Sequence, residues 1–286
     1  MNTKNVIIIA GPTASGKTAM ALSLARAEQT VIISADSRQC FRELNVGVAK
    51  PSVEELASVQ HYFINSHSIQ EEVNACTFEK YALEATTRTF EDKDTVVMVG
   101  GTGLYIKAFC EGIDLIPEIS PGCRAEISSA YKTQGIDWLR EEVKQADPLW
   151  FATGEQMNPQ RLMRALEVKK STGRSLREFQ TRQKIKRDFT IRKLAPLVSR
   201  EELYIRINKR VDEMMAAGLL DEVKTLYPFR HLNALRTVGY TELFDYLDDK
   251  WKLQEAIEKI KTNTRHYAKR QLTWFRRDPE IEWIKT

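Results

Sequence analysis

Short apolar runs alternate with amphipathic stretches over the first 112 residues. Val6-Ile7-Ile8-Ile9-Ala10 is continuous and rich in β-branched side chains, the pattern of a strand buried on both faces of a parallel sheet. Met20, Leu22, Leu24 and Ala25 give Lys17 to Glu28 a helical period. Thr30 to Ser34 and Thr95 to Val99 read as further strands, the latter ending in Gly100-Gly101-Thr102-Gly103. Such alternation predicts an α/β fold with a parallel sheet covered by helices. The pattern changes near Ile116-Pro117. From Gly122 to Arg182 only helical periods are found, punctuated by Pro121, Gly135, Pro148, Pro159 and Gly173. A strand-like stretch, Phe189 to Val198, follows, then long helices over Arg200 to Ala217 and Trp251 to Arg276. The expected organisation is a core domain from residues 1–115 and 186–286, with residues 116–185 as a helical insertion.

Composition narrows the class. With 286 residues, 42% of them hydrophobic, the chain can bury a sizeable core. No run approaches the roughly 18 to 20 apolar residues that span a bilayer. The opening apolar run stops at Gly11-Pro12, too soon for a signal-peptide core, so a cytoplasmic protein is expected. Cys40, Cys76, Cys110 and Cys123 are scattered without metal or redox spacing, which fits a reducing compartment and argues against zinc. Net charge is only +4, but residues 161–210 carry +11 and residues 259–277 carry +7, leaving −14 elsewhere. Concentrated basic charge suits a polyanionic partner; solvated helix faces account for it equally well.

Gly11-Pro12-Thr13-Ala14-Ser15-Gly16-Lys17-Thr18 matches the phosphate-loop pattern in full, between a predicted strand and a predicted helix. The glycines let the backbone curl so that amide N–H groups point inward, and the helix N-terminus adds partial positive charge. Lys17 supplies a full charge, and the Thr18 hydroxyl is a ligand for Mg²⁺. The loop specifies a diphosphate or triphosphate but not which ester.

Asp36 follows the second strand, in Ser34-Ala35-Asp36-Ser37-Arg38-Gln39. Ligands of parallel sheets gather at the carboxyl ends of strands, so Asp36 should face the same cleft as the phosphate loop. There it would hold Mg²⁺ through water or act as a general base; capping the following turn is the alternative. The glycines around Thr102 allow a ligand to approach the backbone, or simply form a tight strand-to-helix turn.

These segments and others together resemble the isopentenyl-diphosphate:tRNA transferases. The resemblance runs nearly end to end: GPTASGKT (11–18), DSRQ (36–39) with GVAKPS (47–52), GGTGLYIKA (100–108), PQRLMRALEV (159–168) with TGRS (172–175), RINKRVDEMM (206–215), RTVGYTEL (236–243) and YAKRQLTWFR (267–276). It implies that the loop holds the diphosphate of dimethylallyl diphosphate with Mg²⁺. It implies that Asp36 takes the proton from the exocyclic 6-amino group of an adenine beside the anticodon, and that Arg210 neutralises the diphosphate or positions the reacting groups. Thr102, Asp36, Ser37, Arg38 and Gln39 would meet the flipped adenine and its surroundings. Contacts to the tRNA anticodon stem-loop would come from Gln160, Arg161, Leu162, Met163 and Arg164, and from Arg236, Thr237, Val238, Gly239, Tyr240 and Thr241. Lys269, Arg270, Gln271, Thr273, Trp274 and Arg276 would add to these, with Arg124 from the insertion. A monomer that binds no membrane is expected. The chain departs from the family pattern at Cys40-Phe41, where an aliphatic residue and tyrosine are usual. It departs also at Asn45-Val46-Gly47-Val48, usually acidic with Gly-Thr, and at Glu155-Gln156-Met157-Asn158, commonly His-Pro-Asn-Asp. These leave contacts near Phe41 and Asn158 open.

The implied chemistry is coherent. An allylic diphosphate ionises readily, and the leaving diphosphate gains negative charge that Lys17, the loop amides, Mg²⁺ at Thr18 and Arg210 would stabilise. A carboxylate is a weak base, but it suffices where the attacking amine becomes acidic as the new bond forms. The adenine must leave its stack, which an anticodon loop permits. Tyr267, Trp274 and Phe275 interleave with Lys269, Arg270, Arg276 and Arg277, a composition suited to RNA and also to a helix that packs its rings inward. His61, His67, His231 and His266 form no cluster. Three other readings compete: a prenyltransferase of free adenine nucleotides, a small-metabolite kinase, and a non-enzymatic RNA-binding protein with a nucleotide switch.

Overall fold

The computed structural model describes residues 4–181 and 183–285. Met1 to Thr3, Arg182 and Thr286 lie outside the described residues, so the helical reading is compared only as far as Thr181. The chain divides into two compact units, Met1–Gly112 with Lys186–Thr286, and Ile113–Ile185. The cut falls three residues before the expected boundary at Ile116 because the chain leaves helix only at Gly112, whose φ of 82° ends α4.

In the first unit the elements run β1 (Asn5–Ala10), α1 (Lys17–Ala27), β2 (Ile32–Ser34), α2 (Val53–Ser58), β3 (His61–Tyr62), α3 (Ala75–Thr89), β4 (Thr95–Gly100) and α4 (Gly103–Glu111). The second unit holds α5 (Pro121–Ala146), α6 (Pro148–Phe151), α7 (Pro159–Thr172) and α8 (Leu176–Phe179). The chain then returns to the first unit through β5 (Thr190–Leu197), α9 (Arg200–Ala216), α10 (Leu219–Leu226), α11 (Tyr240–Leu247), α12 (Leu253–Phe275) and β6 (Ile281–Lys285).

The six strands form one sheet in the order β3-β2-β4-β1-β5-β6, every pair parallel. β1 is central, with Ile8 in register with Met98 of β4 and Lys193 of β5, and Val6, Ile8 and Ile9 are fully buried. Helices on both faces explain the unbroken apolar run. On one face Ala21, Leu22 and Ala25 of α1 pack on Ile9, Ile32 and Val97. The larger core includes a ring cluster in which Phe78 stacks on Tyr105 at 4.6 Å between centroids. Lys193 is the exception on a central strand. Burial works against its charge, but Asp278 at 2.8 Å and Glu280 at 2.7 Å hold its pKa above the ordinary lysine value. Arg187, just after the chain re-enters this unit, donates to the carbonyls of Phe109 and Ala108 and to Glu79, which ties β5 to the end of α4.

The helical unit has its own core, built from Ile127, Leu139, Val143, Trp150, Leu166 and Val168 among others. Gly135, with φ 79°, breaks α5 in two. The buried Asp147 joins α6 to α8: one oxygen accepts from the Trp150 amide, the other from the Ser175 hydroxyl and the Leu176 amide. Among the described residues no helix is long and apolar enough to cross a membrane.

Candidate functional site

Parallel strands deliver their following loops to one edge of the sheet. Here those loops surround a cleft of about 500 Å³, lined by Thr13, Lys17 and Thr18 after β1, Asp36 to Gln39 after β2, Gly100 at the end of β4, and side chains of α9, α12 and the 236–242 segment. All of these belong to the first unit.

The phosphate loop reverses direction through left-handed backbone at Ala14 (φ 61°) and Gly16 (φ 88°), and α1 begins at Lys17. The strand-to-helix context required for phosphate binding is therefore present. Lys17 Nζ donates to the Pro12 carbonyl at 2.9 Å. Burial lowers the Lys17 pKa to about 8; Asp36 opposes that shift and Arg210 adds to it. Arg210, on α9, donates to the Thr13 hydroxyl at 3.2 Å, and burial holds its guanidinium below the ordinary arginine value against the pull of Asp36. Lys17, Arg210 and the Asp36 carboxylate thus share a single cleft. Ile207, Val211, Met214 and Ile260 are among the apolar side chains that line the same space. Sequence reading missed them, although Ile207, Val211 and Met214 lie at helical spacing on the face of α9 that carries Arg210.

Asp36 caps the turn after β2 and also borders the cleft. Oδ1 accepts from the amides of Arg38 (2.9 Å) and Gln39 (3.3 Å), forming a turn. Among the described residues Oδ2 has no hydrogen bond, and the residue lines the cleft. Ser37 donates its amide to Thr102 Oγ1 at 3.0 Å, and Thr102 donates its own amide to Ala35, so Thr102 joins the ends of β2 and β4 and does not line the cleft. The glycines beside it accommodate the protein itself. A Cβ at Gly100 would lie 2.2 Å from the Ala35 carbonyl oxygen, one at Gly101 2.2 Å from Gln271 Nε2, and one at Gly103 2.2 Å from Trp274 Nε1.

Several residues expected to meet RNA are engaged within the fold. Leu162 and Met163 are buried in the core of the helical unit. Tyr240 is fully buried, and its hydroxyl donates to Glu222 at 2.6 Å. Gly239 is buried with its amide on Glu242. Gln271 is 7% exposed; its side chain accepts from the Thr13 amide and donates to the Gly101 carbonyl, both at 2.9 Å, so it braces the phosphate loop. Their apolar surface or hydrogen-bonding capacity is already used within the fold. Gln160 and Arg161 are exposed on α7, Arg161 beside Glu155 at 3.1 Å. Arg124 and Arg164 both approach Glu167, at 3.8 Å and 3.5 Å. Arg236, Thr237, Val238, Thr241 and Arg270 line the cleft together with Tyr267, whose pKa burial and the Asp36 charge raise to about 12. Lys269, Thr273, Trp274 and Arg276 are exposed on or just beyond α12, whereas Phe275 is buried.

Among the described residues no group of three His, Cys, Asp or Glu side chains is placed to hold a metal. The cleft nonetheless offers the Thr18 hydroxyl and the Asp36 carboxylate, a donor set that fits Mg²⁺ carried mainly by phosphate oxygens and water.

The family model described as IPP transferase matches residues 39–278. The chain is 46% identical to a tRNA dimethylallyltransferase of Christiangramia forsetii, over 98% of this chain and 93% of that protein. It is likewise 46% identical to one of Flavobacterium johnsoniae, over 98% and 93%. Among solved structures it is similar to the full-length tRNA isopentenylpyrophosphate transferase of Bacillus halodurans, with 35% identity, a TM-score of 0.72, and 99% and 90% of the two chains covered. A eukaryotic dimethylallyltransferase acting on tRNA matches with 26% identity and a TM-score of 0.80, over 96% of this chain and 70% of that one.

Proposed function

The chain belongs to the IPP transferase family, and from that premise we propose that it moves the dimethylallyl group of dimethylallyl diphosphate to the exocyclic 6-amino group of the adenine next to the anticodon of tRNA. The observation that carries this reading is the placement of the phosphate loop, Arg210 and Asp36 around one cleft that also has an apolar wall. The apolar wall suits a prenyl tail beside the diphosphate.

The diphosphate sits on the loop amides and the N-terminus of α1, between Lys17 and Arg210. As the allylic carbon–oxygen bond breaks, negative charge grows on the departing diphosphate, and these fixed cations stabilise it. Ile207, Val211, Met214 and Ile260 hold the five-carbon tail and exclude water that would capture the allylic carbon. The adenine amine attacks that carbon, and Asp36 Oδ2 takes its proton while Oδ1 stays fixed by two amides. The Thr18 hydroxyl would hold Mg²⁺, which would supply further charge neutralisation. The enzyme would act as a monomer in the cytoplasm, on the anticodon stem-loop.

Incubation with labelled dimethylallyl diphosphate and unmodified tRNA tests the reading. Label should enter adenosine in the RNA with release of diphosphate and no requirement for ATP. ATP consumed in step with product, or label confined to free nucleotides, would replace it with one of the competing readings.

A further inference from the structure

Tyr240 belongs to a segment that sequence reading assigned to RNA contact, yet it faces the protein interior, and its partner is a residue that no motif singled out. Glu222, on α10, receives four donors on its two carboxylate oxygens. Oε2 accepts from the amides of Asn45 (3.1 Å) and Val46 (2.7 Å). Oε1 accepts from the amide of Gly47 (3.0 Å) and the hydroxyl of Tyr240 (2.6 Å). Charge-assisted bonds of this kind are stronger than neutral ones, and three successive amides on one carboxylate fix a loop.

That loop forms a wall of the cleft. Gly47, Val48 and Ala49 line it, as do residues 236–239 immediately before Tyr240. The carbonyls of Val48 and Ala49 are held from the opposite side by Gln39 Nε2, at 3.3 Å and 3.1 Å, and Gln39 Oε1 accepts from Ser34 at 3.0 Å. A Cβ at Gly47 would lie 2.6 Å from the Tyr240 ring, so loop and ring are in direct contact. One carboxylate therefore sets the spacing of two wall segments. Neither segment belongs to the phosphate loop. The loop follows β2, which β4 separates from β1 and its phosphate loop, and strands two places apart in a sheet are about 10 Å distant.

We infer that Glu222 is a positioning residue for the acceptor: it sets the width of the cleft where the RNA base enters, without contact to the diphosphate. This rests on the prenyl-transfer reading above. An isosteric amide cannot replace the carboxylate, since its NH₂ group would face two of the four donors.

The test is steady-state transfer by the full chain, with labelled dimethylallyl diphosphate and an unmodified anticodon stem-loop, for wild type, Glu222→Gln and Tyr240→Phe. Glu222→Gln should raise KM for the RNA about tenfold, and Tyr240→Phe, which removes one of the four bonds, about threefold. Both kcat and KM for the diphosphate should stay within about twofold of wild type. An unchanged RNA KM, or equal rises in both KM values, with an active wild type overturns the inference alone. If Glu222→Gln does not fold, Tyr240→Phe decides by the same criterion. An inactive wild type rejects the transfer reading and this inference with it.

Discussion

Lys17 combines two properties that ordinarily oppose one another: in the proposed reaction it is the principal charge for the diphosphate, and burial lowers its pKa to about 8. Diphosphate binding requires the ammonium form. Between about pH 8 and the unperturbed value near 10.5 the free protein carries a neutral Lys17, so binding must draw in a proton. Affinity for inorganic diphosphate should therefore be steady below pH 8 and fall about tenfold per pH unit above it, with proton uptake visible by calorimetry in buffers of different ionisation enthalpy. Affinity that stays flat to pH 10 would contradict the burial of this amine. At the residue scale the sequence showed which groups carry charge, through a motif whose spacing has a physical cause. It did not show Glu222 or the bracing role of Gln271, because both act through backbone groups distant in the chain, 175 to 177 residues away for Glu222 and 170 for the Gly101 carbonyl.

Glycine positions separate packing from phosphate binding at the scale of elements. Gly100 ends β4 where a side chain would strike the backbone of Ala35, and that backbone cannot yield without parting β2 from β4. Gly100→Ala should cost at least about 3 kcal/mol by denaturant unfolding. Gly122, in the first turn of α5, meets nothing within 4 Å, and Gly122→Ala should be neutral or stabilise by up to about 1 kcal/mol. Equal effects of the two changes would refute the close approach at Gly100. The central strands were legible because β1 and β4 are continuous apolar runs. β3, two residues long, and β6, with Glu282 between apolar positions, fall below what periodicity can detect. α9 and α12 ended within two residues of their expected limits, since their apolar faces keep a 3.6-residue period throughout.

Across the whole molecule, the charge that looked concentrated along the chain is partly dispersed in space. In residues 161–210, Arg161, Arg164, Lys170, Arg174, Arg187, Arg192, Lys193 and Arg206 all pair with carboxylates. Among the described residues Lys269, Arg270, Arg276 and Arg277 form no ion pair, and Arg270 lines the cleft. Sequence summation could not make this distinction, because the neutralising acids lie elsewhere in the chain, as Glu282 does for Arg192. Replacing Lys269 and Arg276 together with alanine should weaken binding of an anticodon stem-loop. It should also flatten the log–log salt dependence by about 0.7 to 0.9 per lost phosphate contact. Replacing Arg161, already paired, should change the slope less. Equal slopes for all variants would place the RNA on another face.

In the proposed reaction the carboxylate at the end of β2 takes the proton from a base alkylated by a diphosphate ester held on the loop after β1. Asp36→Asn isolates that step, because an amide oxygen can still accept from Arg38 and Gln39 and preserve the turn, while its NH₂ group cannot serve as a base. The decisive measurement is the single-turnover rate of label transfer from bound dimethylallyl diphosphate to an anticodon stem-loop, with Kd for both ligands determined on the same variant. If Asp36 is the base, the rate falls by about 10²- to 10⁴-fold with both Kd values within about twofold of wild type; a near-wild-type rate would remove Asp36 from the reaction.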